Sequence, residues 1–336
     1  MLIGSGVMQI VFDIGGTSFR HAKYVNGEMV ACAKVPTPNY LQGHTLVEIN
    51  QLLLEGINQA IGSDLASITK VGICYAGPVS EQGKILGSPT IHGIKLEQPF
   101  DLKAAVQSLT GIQDVWVTND LSAAAYRYVD DYSSFELITV STSVGNKIVI
   151  NGQLQLGSEG FEGELGHQPA CLPAPFGELI SVACTCGTGV NHIGSISSGR
   201  GIAEVAQQLC SGGLETLYLA SSLKGRDSFT TEEITLAAAQ GDEFSQRVLD
   251  VCTYPLAYAI CLTLTSLYLE KVILIGGVVL NSASYFDSLM KNILEIGVYN
   301  YTAEHLREKI ILGFNDDDSG LIGMHCFLEN QWDSYK

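Results

Sequence analysis

Asp13-Ile14-Gly15-Gly16-Thr17 is a run that could hold a phosphorylated ligand. Two glycines behind an apolar strand let the backbone turn tightly and bring its N–H groups close to phosphate oxygens. Thr17 adds a hydroxyl donor, and a carboxylate at the strand end can hold Mg²⁺ directly or through water. A plain β-turn would use the same two glycines. Asn119-Asp120 ends a second apolar strand and opens a helix. Taken alone, that pair is most simply an N-cap. In a phosphate-handling protein it is also a base that orients a hydroxyl and accepts its proton as a phosphoryl group arrives.

Three further clusters lie downstream. In Gly163-Glu164-Leu165-Gly166-His167, the carboxylate and imidazole are three residues apart and can converge on the hydroxyls of a polyol. Cys184-Thr185-Cys186-Gly187 is half of a zinc pattern. A structural Zn²⁺ takes four ligands, usually Cys and His. His167, Cys184 and Cys186 give three, and Cys171 or His192 a fourth. Two reduced thiols in a turn is the simpler alternative. Gly276-Gly277 leaves the strand Val272–Ile275, where a flat ring or ribose could approach the backbone.

The elements that must position these residues repeat. The first copy is a strand to Phe12, the Gly15-Gly16-Thr17 turn, a strand near Phe19–Val25, Asn26-Gly27, and a strand near Met29–Val35. Asn-Gly between apolar runs is a strong hairpin signal. The second copy is Leu137–Val140, the turn Ser141–Gly145, Lys147–Ile150 and Asn151-Gly152. Thr17 to Asn26 and Thr142 to Asn151 are both nine positions, at an offset of 125 residues. One strand–phosphate-turn–strand unit therefore occurs twice. Strands alternating with helices imply an α/β architecture. A long helical span over 243–269 is expected to break near Pro255.

Composition bounds the function. The chain has 336 residues, which suggests two domains, and a formal charge of -17. That charge argues against nucleic acid or an anionic membrane surface as partner. The apolar stretch Pro255–Leu269 falls short of the roughly 20 residues a bilayer span needs and is expected to be a buried helix. The first ten residues show no signal-peptide pattern, and nine scattered cysteines suit reduced thiols, so a cytoplasmic protein is expected.

These motifs, in this order, resemble the ROK family of sugar kinases and repressors, and most of all its glucokinase-like kinases. DIGGT at 13–17, AGPV at 76–79, ND at 119–120, the turn at 141–145, GELGH at 163–167, CTCG at 184–187, IGG at 275–277 and GLIG at 320–323 carry the resemblance over nearly the whole chain. It implies a duplicated, ribonuclease-H-like (actin-like, hexokinase-type) α/β fold with an interdomain active-site cleft. The expected domains are 1–118 and 119–319, with a final helix over about 320–336 packing back on the first. The implied reaction is transfer of the γ-phosphoryl group of ATP to a sugar hydroxyl. Asp120 would be the base. Asn119, Glu164, His167 and Gly77 would contact the sugar, with Thr90 where many family glucokinases have asparagine. Asp13, Gly15, Gly16 and Thr17 would form the Mg·ATP phosphate site, with Thr142 and Gly145 on the opposing loop and Gly276 and Gly277 against the nucleotide. A homodimer is implied as well.

The chain departs from the family pattern at three places. STSVG stands at 141–145 for GTGxG. CTCGTGVNHIGS stands from 184 for CxCGxxGCxE, so the third cysteine and a sugar-binding glutamate are both missing, and His192 is a sugar contact, a metal ligand or neither. Thr90 is the third departure. An amino sugar or a C7 cyclitol is thus a rival to a hexose, and an inactive sugar-binding homologue is a second alternative. A repressor would need a winged helix before the DIGGT strand, which begins at about residue 9. A chaperone-type actin-like ATPase would need a peptide-binding extension, and none is visible.

Overall fold

Asn26 and Asn151 both sit at φ +52°, and the glycines after them, Gly27 and Gly152, at +83° and +73°. Two consecutive positive φ values make the type I′ turn, whose twist matches that of the strands it joins. The computed structural model describes residues 8–157, 160–316 and 318–334, the side chains of 331–334 excepted. The leaderless expectation rests partly on residues 1–7 and the final helix was expected to reach 336; these ends lie outside the described residues.

The elements run β1 (Met8–Ile14), β2 (Ser18–Val25), β3 (Glu28–Pro36), α1 (Leu46–Ile61), β4 (Ile68–Tyr75), β5 (Ile85–Ser88), β6 (Ile94–Phe100), α2 (Leu102–Thr110), β7 (Val115–Asn119) and α3 (Asp120–Tyr126). They continue as β8 (Phe135–Val140), β9 (Val144–Ile150), β10 (Gln153–Leu154), α4 (Phe176–Leu179), α5 (Ile193–Ser197), α6 (Gly199–Leu209), α7 (Glu215–Ala220), α8 (Thr231–Ala239) and α9 (Glu243–Leu267). Last come β11 (Lys271–Ile275), α10 (Gly277–Asn281), α11 (Ala283–Ile296), α12 (Ala303–Lys309), β12 (Ile310–Leu312) and α13 (Ser319–Ser334).

Among the described residues, two five-stranded sheets have the same order, β3-β2-β1-β4-β7 and β10-β9-β8-β11-β12. In each, a meander feeds two parallel strands. The 125-residue repeat is therefore a repeated sheet. The chain divides into two compact units, 1–131 with 154–162 and 316–336, and 132–153 with 163–315.

The first unit is built on β1 and β4, buried along nearly their whole length. Thr45 and Glu48 close a capping box at the start of α1, and Ile49, Leu53, Ile57 and Ile61 form its buried stripe. Helix α13 lies on β1, β4 and α3. A Cβ on Gly323 would fall 2.1 Å from the Ala123 carbonyl oxygen, so α13 and α3 meet backbone to backbone. That packing keeps α3 in the first compact unit, with a helix from the far end of the chain.

In the second unit α9 packs on α5, α6, α8 and α11. It runs unbroken through Pro255, contrary to the expected break. Pro255 is buried, and packing along the helix outweighs the roughly 3 kcal/mol that an interior proline costs. The helix is also longer than the apolar stretch alone suggested. Its 25 residues reach the length of a bilayer span, and 67% of its most apolar window is buried inside the protein.

Glu136, on β8, is 1% exposed. Asn146 Nδ2 donates to it at 2.7 Å, and the Thr263 hydroxyl of α9 is near enough to favour its charged form. Burial outweighs both and pushes its carboxyl up to about 7 from the ordinary 4.5. Between those two values the folded chain keeps a proton that the unfolded chain has lost. Stability therefore falls as pH rises through that window. Glu136→Gln should leave the urea-unfolding free energy of this unit nearly unchanged at pH 4 and raise it by about 2–3 kcal/mol at pH 8. A gap of equal size at both pH values would show that the carboxyl does not titrate there.

Candidate active site

Strands β1, β4 and β7 run parallel, and their register sets Ile14 beside Tyr75 and Tyr75 beside Asn119. The C-terminal strand ends of an open α/β sheet are where ligands bind. Here they carry the Gly15-Gly16-Thr17 turn, Ala76-Gly77 and Asn119-Asp120, so the first unit brings three separated motifs to one edge.

The turn is shaped by its surroundings. Gly15 N–H donates to Ser18 O at 3.0 Å. Thr37 Oγ1 donates to Gly15 O at 2.7 Å and Asn39 Nδ2 to Gly16 O at 3.2 Å. A Cβ on Gly16 would fall 2.5 Å from Thr90 Cβ, so Gly16 is needed for Thr90 to seat on the turn. Thr90 Oγ1 lies 3.1 Å from Ser88 Oγ, which itself donates to Ala76 O.

Asn119 combines the cap with the functional reading. Its Oδ1 accepts from Leu121 N at 3.0 Å and Ser122 N at 3.3 Å. Its Nδ2 donates to Gly77 O at 3.1 Å and Asp120 Oδ1 at 2.9 Å. An asparagine amide offers two donors and two acceptor sites, and all four are used. Asn119 thus ties the Gly77 carbonyl and Asp120 together at the strand ends. Asp120 Oδ1 also accepts from Leu121 N at 2.8 Å.

Asp13 sits opposite Arg20 across the β1–β2 turn and beside Cys74 of β4. Arg20 Nη2 pairs with its Oδ2, and Cys74 Sγ donates to its Oδ1 at 3.4 Å. Arg20 was missed in the sequence. The turn length carried the signal, since a turn over 14–19 sets residue 20 against residue 13.

In the second unit the turn between β8 and β9 is Ser141–Ser143, shorter than expected, because Val144 already pairs with Val140 and Gly145 with Thr139. Gly145 is therefore a ladder residue. Ser141 O accepts from Gly199 N at 2.9 Å. Ile275 pairs with Thr139, and a Cβ on Gly276 (φ +99°) would fall 2.5 Å from Val140 O. Thr142, Gly145, Gly276 and Gly277 thus gather at the ends of β8 and β11.

The same unit assembles His167, Cys184, Cys186 and His192, whose ligand atoms all lie within 4.8 Å of one another. Cys184 Sγ is 3.3 Å from His167 Nδ1, and Cys186 Sγ is 3.5 Å from His192 Nδ1. Bridges Ala183↔Val190 and Pro169↔His192 fold the loop that holds them. Thr188, donating through its hydroxyl and backbone, brings the exposed Cys186 thiol down to about 6, while burial pushes Cys184 up. Tetrahedral Zn²⁺ with bonds of about 2.3 Å to sulfur and 2.0–2.1 Å to nitrogen sets its ligands roughly 3.3–3.8 Å apart. The two thiol–imidazole pairs have that spacing and all four donors converge within 4.8 Å, so the donor set suits zinc. Cys171 is exposed and outside the cluster. Glu164 Oε2 lies 3.6 Å from His167 Nε2, where a carboxylate would orient a metal-binding imidazole.

Comparison with known proteins agrees with this geometry. The chain is 29% identical over 334 residues to a C(7)-cyclitol 7-kinase of Streptomyces hygroscopicus subsp. limoneus, covering 94% of this chain and 92% of the relative. It is 28% identical over 330 residues to a glucokinase of Aeropyrum pernix, covering 94% and 95%. The crystal structure of a ROK hexokinase from Thermus thermophilus superposes with a TM-score of 0.72 at 21% identity, over 98% of this chain and 100% of that one. This last likeness is one of fold. The ROK family model matches residues 9–331, and the chain belongs to the ROK family.

Proposed function

We propose that this carbohydrate kinase transfers the γ-phosphoryl group of Mg·ATP to a hydroxyl of a hexose or a hexose-like cyclitol, with Asp120 as general base. The observation that carries the reading is the Asn119–Asp120 couple at the start of α3. Two N–H donors, Asn119 Nδ2 and Leu121 N, fix one carboxylate oxygen, which sets the rotamer of the group that must meet the acceptor hydroxyl. A base acts only when so placed. Asn119 is here a positioning residue. Asp13 and the turn Gly15–Thr17 would hold the Mg·ATP phosphates, with Thr142, Gly145, Gly276 and Gly277 against the nucleotide. Mg²⁺ neutralises charge on the phosphates as they separate.

Glu164 and Thr90 are the acceptor contacts of this reading. His167 and His192 belong to a His₂Cys₂ zinc centre rather than to the sugar. The substrate is then recognised without the second pocket carboxylate of the family, and this favours a cyclitol or modified hexose over glucose. We place the enzyme in a reducing, cytoplasmic setting, which its free thiols support.

ADP release from Mg·ATP tests this across glucose, mannose, glucosamine, N-acetylmannosamine and C7 cyclitols. Turnover should concentrate on one acceptor class. ATP binding without ADP release on any acceptor would favour an inactive sugar-binding homologue.

A further inference from the structure

We infer that the outer edge of the first sheet, strand β3, is an interaction surface that pairs antiparallel with β3 of a second copy of this chain, with Cys32 on the twofold axis. Among the described residues β3 has β2 as its one neighbour, and all nine of its residues are exposed. An edge strand turns every second N–H and C=O away from its neighbour, ready to pair. The repeat shows that the fold does not require such an edge. In the second sheet the equivalent strand after the hairpin, β10, is two residues long, and its Leu154 is buried. Shortening is one way an edge is kept from pairing. β3 instead keeps nine residues, and five in a row, Met29-Val30-Ala31-Cys32-Ala33, are uncharged. Met29, Val30 and Val35 are 38%, 57% and 51% exposed.

Charge and register name the occupant. At -17 the chain repels its own copies. β3 carries one carboxylate, Glu28, and one ammonium, Lys34, so a second copy meets no net charge there. The ladder with β2 sets Ala31 against Lys23 and Met29 against Tyr24, so Val30 is the extra residue of a bulge. Counted past that bulge, Cys32 on the axis sets Ala31 opposite Ala33, Met29 opposite Lys34 and Glu28 opposite Val35 of the other copy. No two like charges then face each other. Pro36, with no N–H to give, stays outside the ladder. Two edges joined this way use each other up, so the pair closes rather than growing into a fibre. β3 also leads into Thr37 and Asn39, whose side chains hold the Gly15 and Gly16 carbonyls. A paired edge would brace the segment that shapes that turn.

Sedimentation velocity over a concentration series, with a short bismaleimide as cross-linking probe, tests this. Residues directly opposite have Cβ atoms about 4.5–5.5 Å apart. The free, exposed Cys32 thiols of two copies should therefore cross-link to each other, as identified by peptide mass. Cys32→Ser should lose that cross-link and keep the association. Ala31→Glu with Ala33→Glu sets carboxylate against carboxylate at both symmetric pairs and should weaken association by about ten-fold or more. On β2 the same positions face Lys23 and His21, so the unit should fold with the change. Ala31→Glu with Ala33→Lys sets opposite charges at both pairs and should restore association to the parent level or better, which only this register predicts. A chain that stays monomeric would overturn the inference. So would association that the two-glutamate variant leaves at parent strength, or a dimer in which Cys32 is not joined to Cys32, since both would place the contact on another face. None of these readouts involves turnover, so the result is separate from whether any acceptor is phosphorylated.

Discussion

Asp120→Asn should retain ATP binding and lose turnover by about 10²-fold or more, the usual contribution of a positioned base. The substitution is close to isosteric. Its Oδ1 can still accept from Asn119 Nδ2 and Leu121 N, so the start of α3 and the cap formed by Asn119 should stay as they are. What disappears is the ability to take a proton from the acceptor hydroxyl as the phosphoryl group arrives. The loss should therefore fall on kcat, with the acceptor KM nearly constant. ADP release measures the first, and calorimetric titration with a non-hydrolysable ATP analogue confirms that the nucleotide site is intact. Turnover equal to the parent's would remove Asp120 from the mechanism. A rise in acceptor KM at constant kcat would make it a binding residue instead.

The repeated sheet was legible because its signal is local. Asn26-Gly27 and Asn151-Gly152 need nothing beyond their own φ angles to form type I′ turns. The nine-position interval from each phosphate turn to each hairpin is set by strand length alone. The features that stayed hidden depend on distant partners. The packing of α3 on α13 is set by Ala123 meeting Gly323, 200 residues away. Pro255 reads as a helix breaker until α9 is seen wrapped by its neighbours. His192 could be aligned in two ways past Gly189, and only the Pro169↔His192 bridge decides its place beside Cys186. Asn119 and Arg20 show a third limit. Their residue types offered an N-cap in one case and nothing in particular in the other, and neither showed the hydrogen bonds to Gly77 and Asp120 or to Asp13.

Chelator-washed protein should keep close to one Zn²⁺ per chain by elemental analysis, and Cys184→Ser or His192→Ala should lose it. The donor set supports this on two counts. His167, Cys184, Cys186 and His192 already converge, and Cys186 is the thiol that ionises most readily, which a metal requires. Residues 168–192 carry little regular structure beyond the short helix α4, so the loop has few backbone ladders to hold it without a central ion. Metal loss should therefore raise amide exchange across this loop while β8, β9 and β11 stay protected. The affinity should also fall as pH drops below about 6, where protons compete for Cys186. Glu164→Gln tests the support of His167 from outside the four ligands, and a 10–100-fold weaker zinc affinity is expected of such a partner. Protein that carries no zinc and exchanges slowly over 168–192 would show that the loop is held without an ion, by its backbone bridges and by the contacts of Cys184 with His167 and Cys186 with His192.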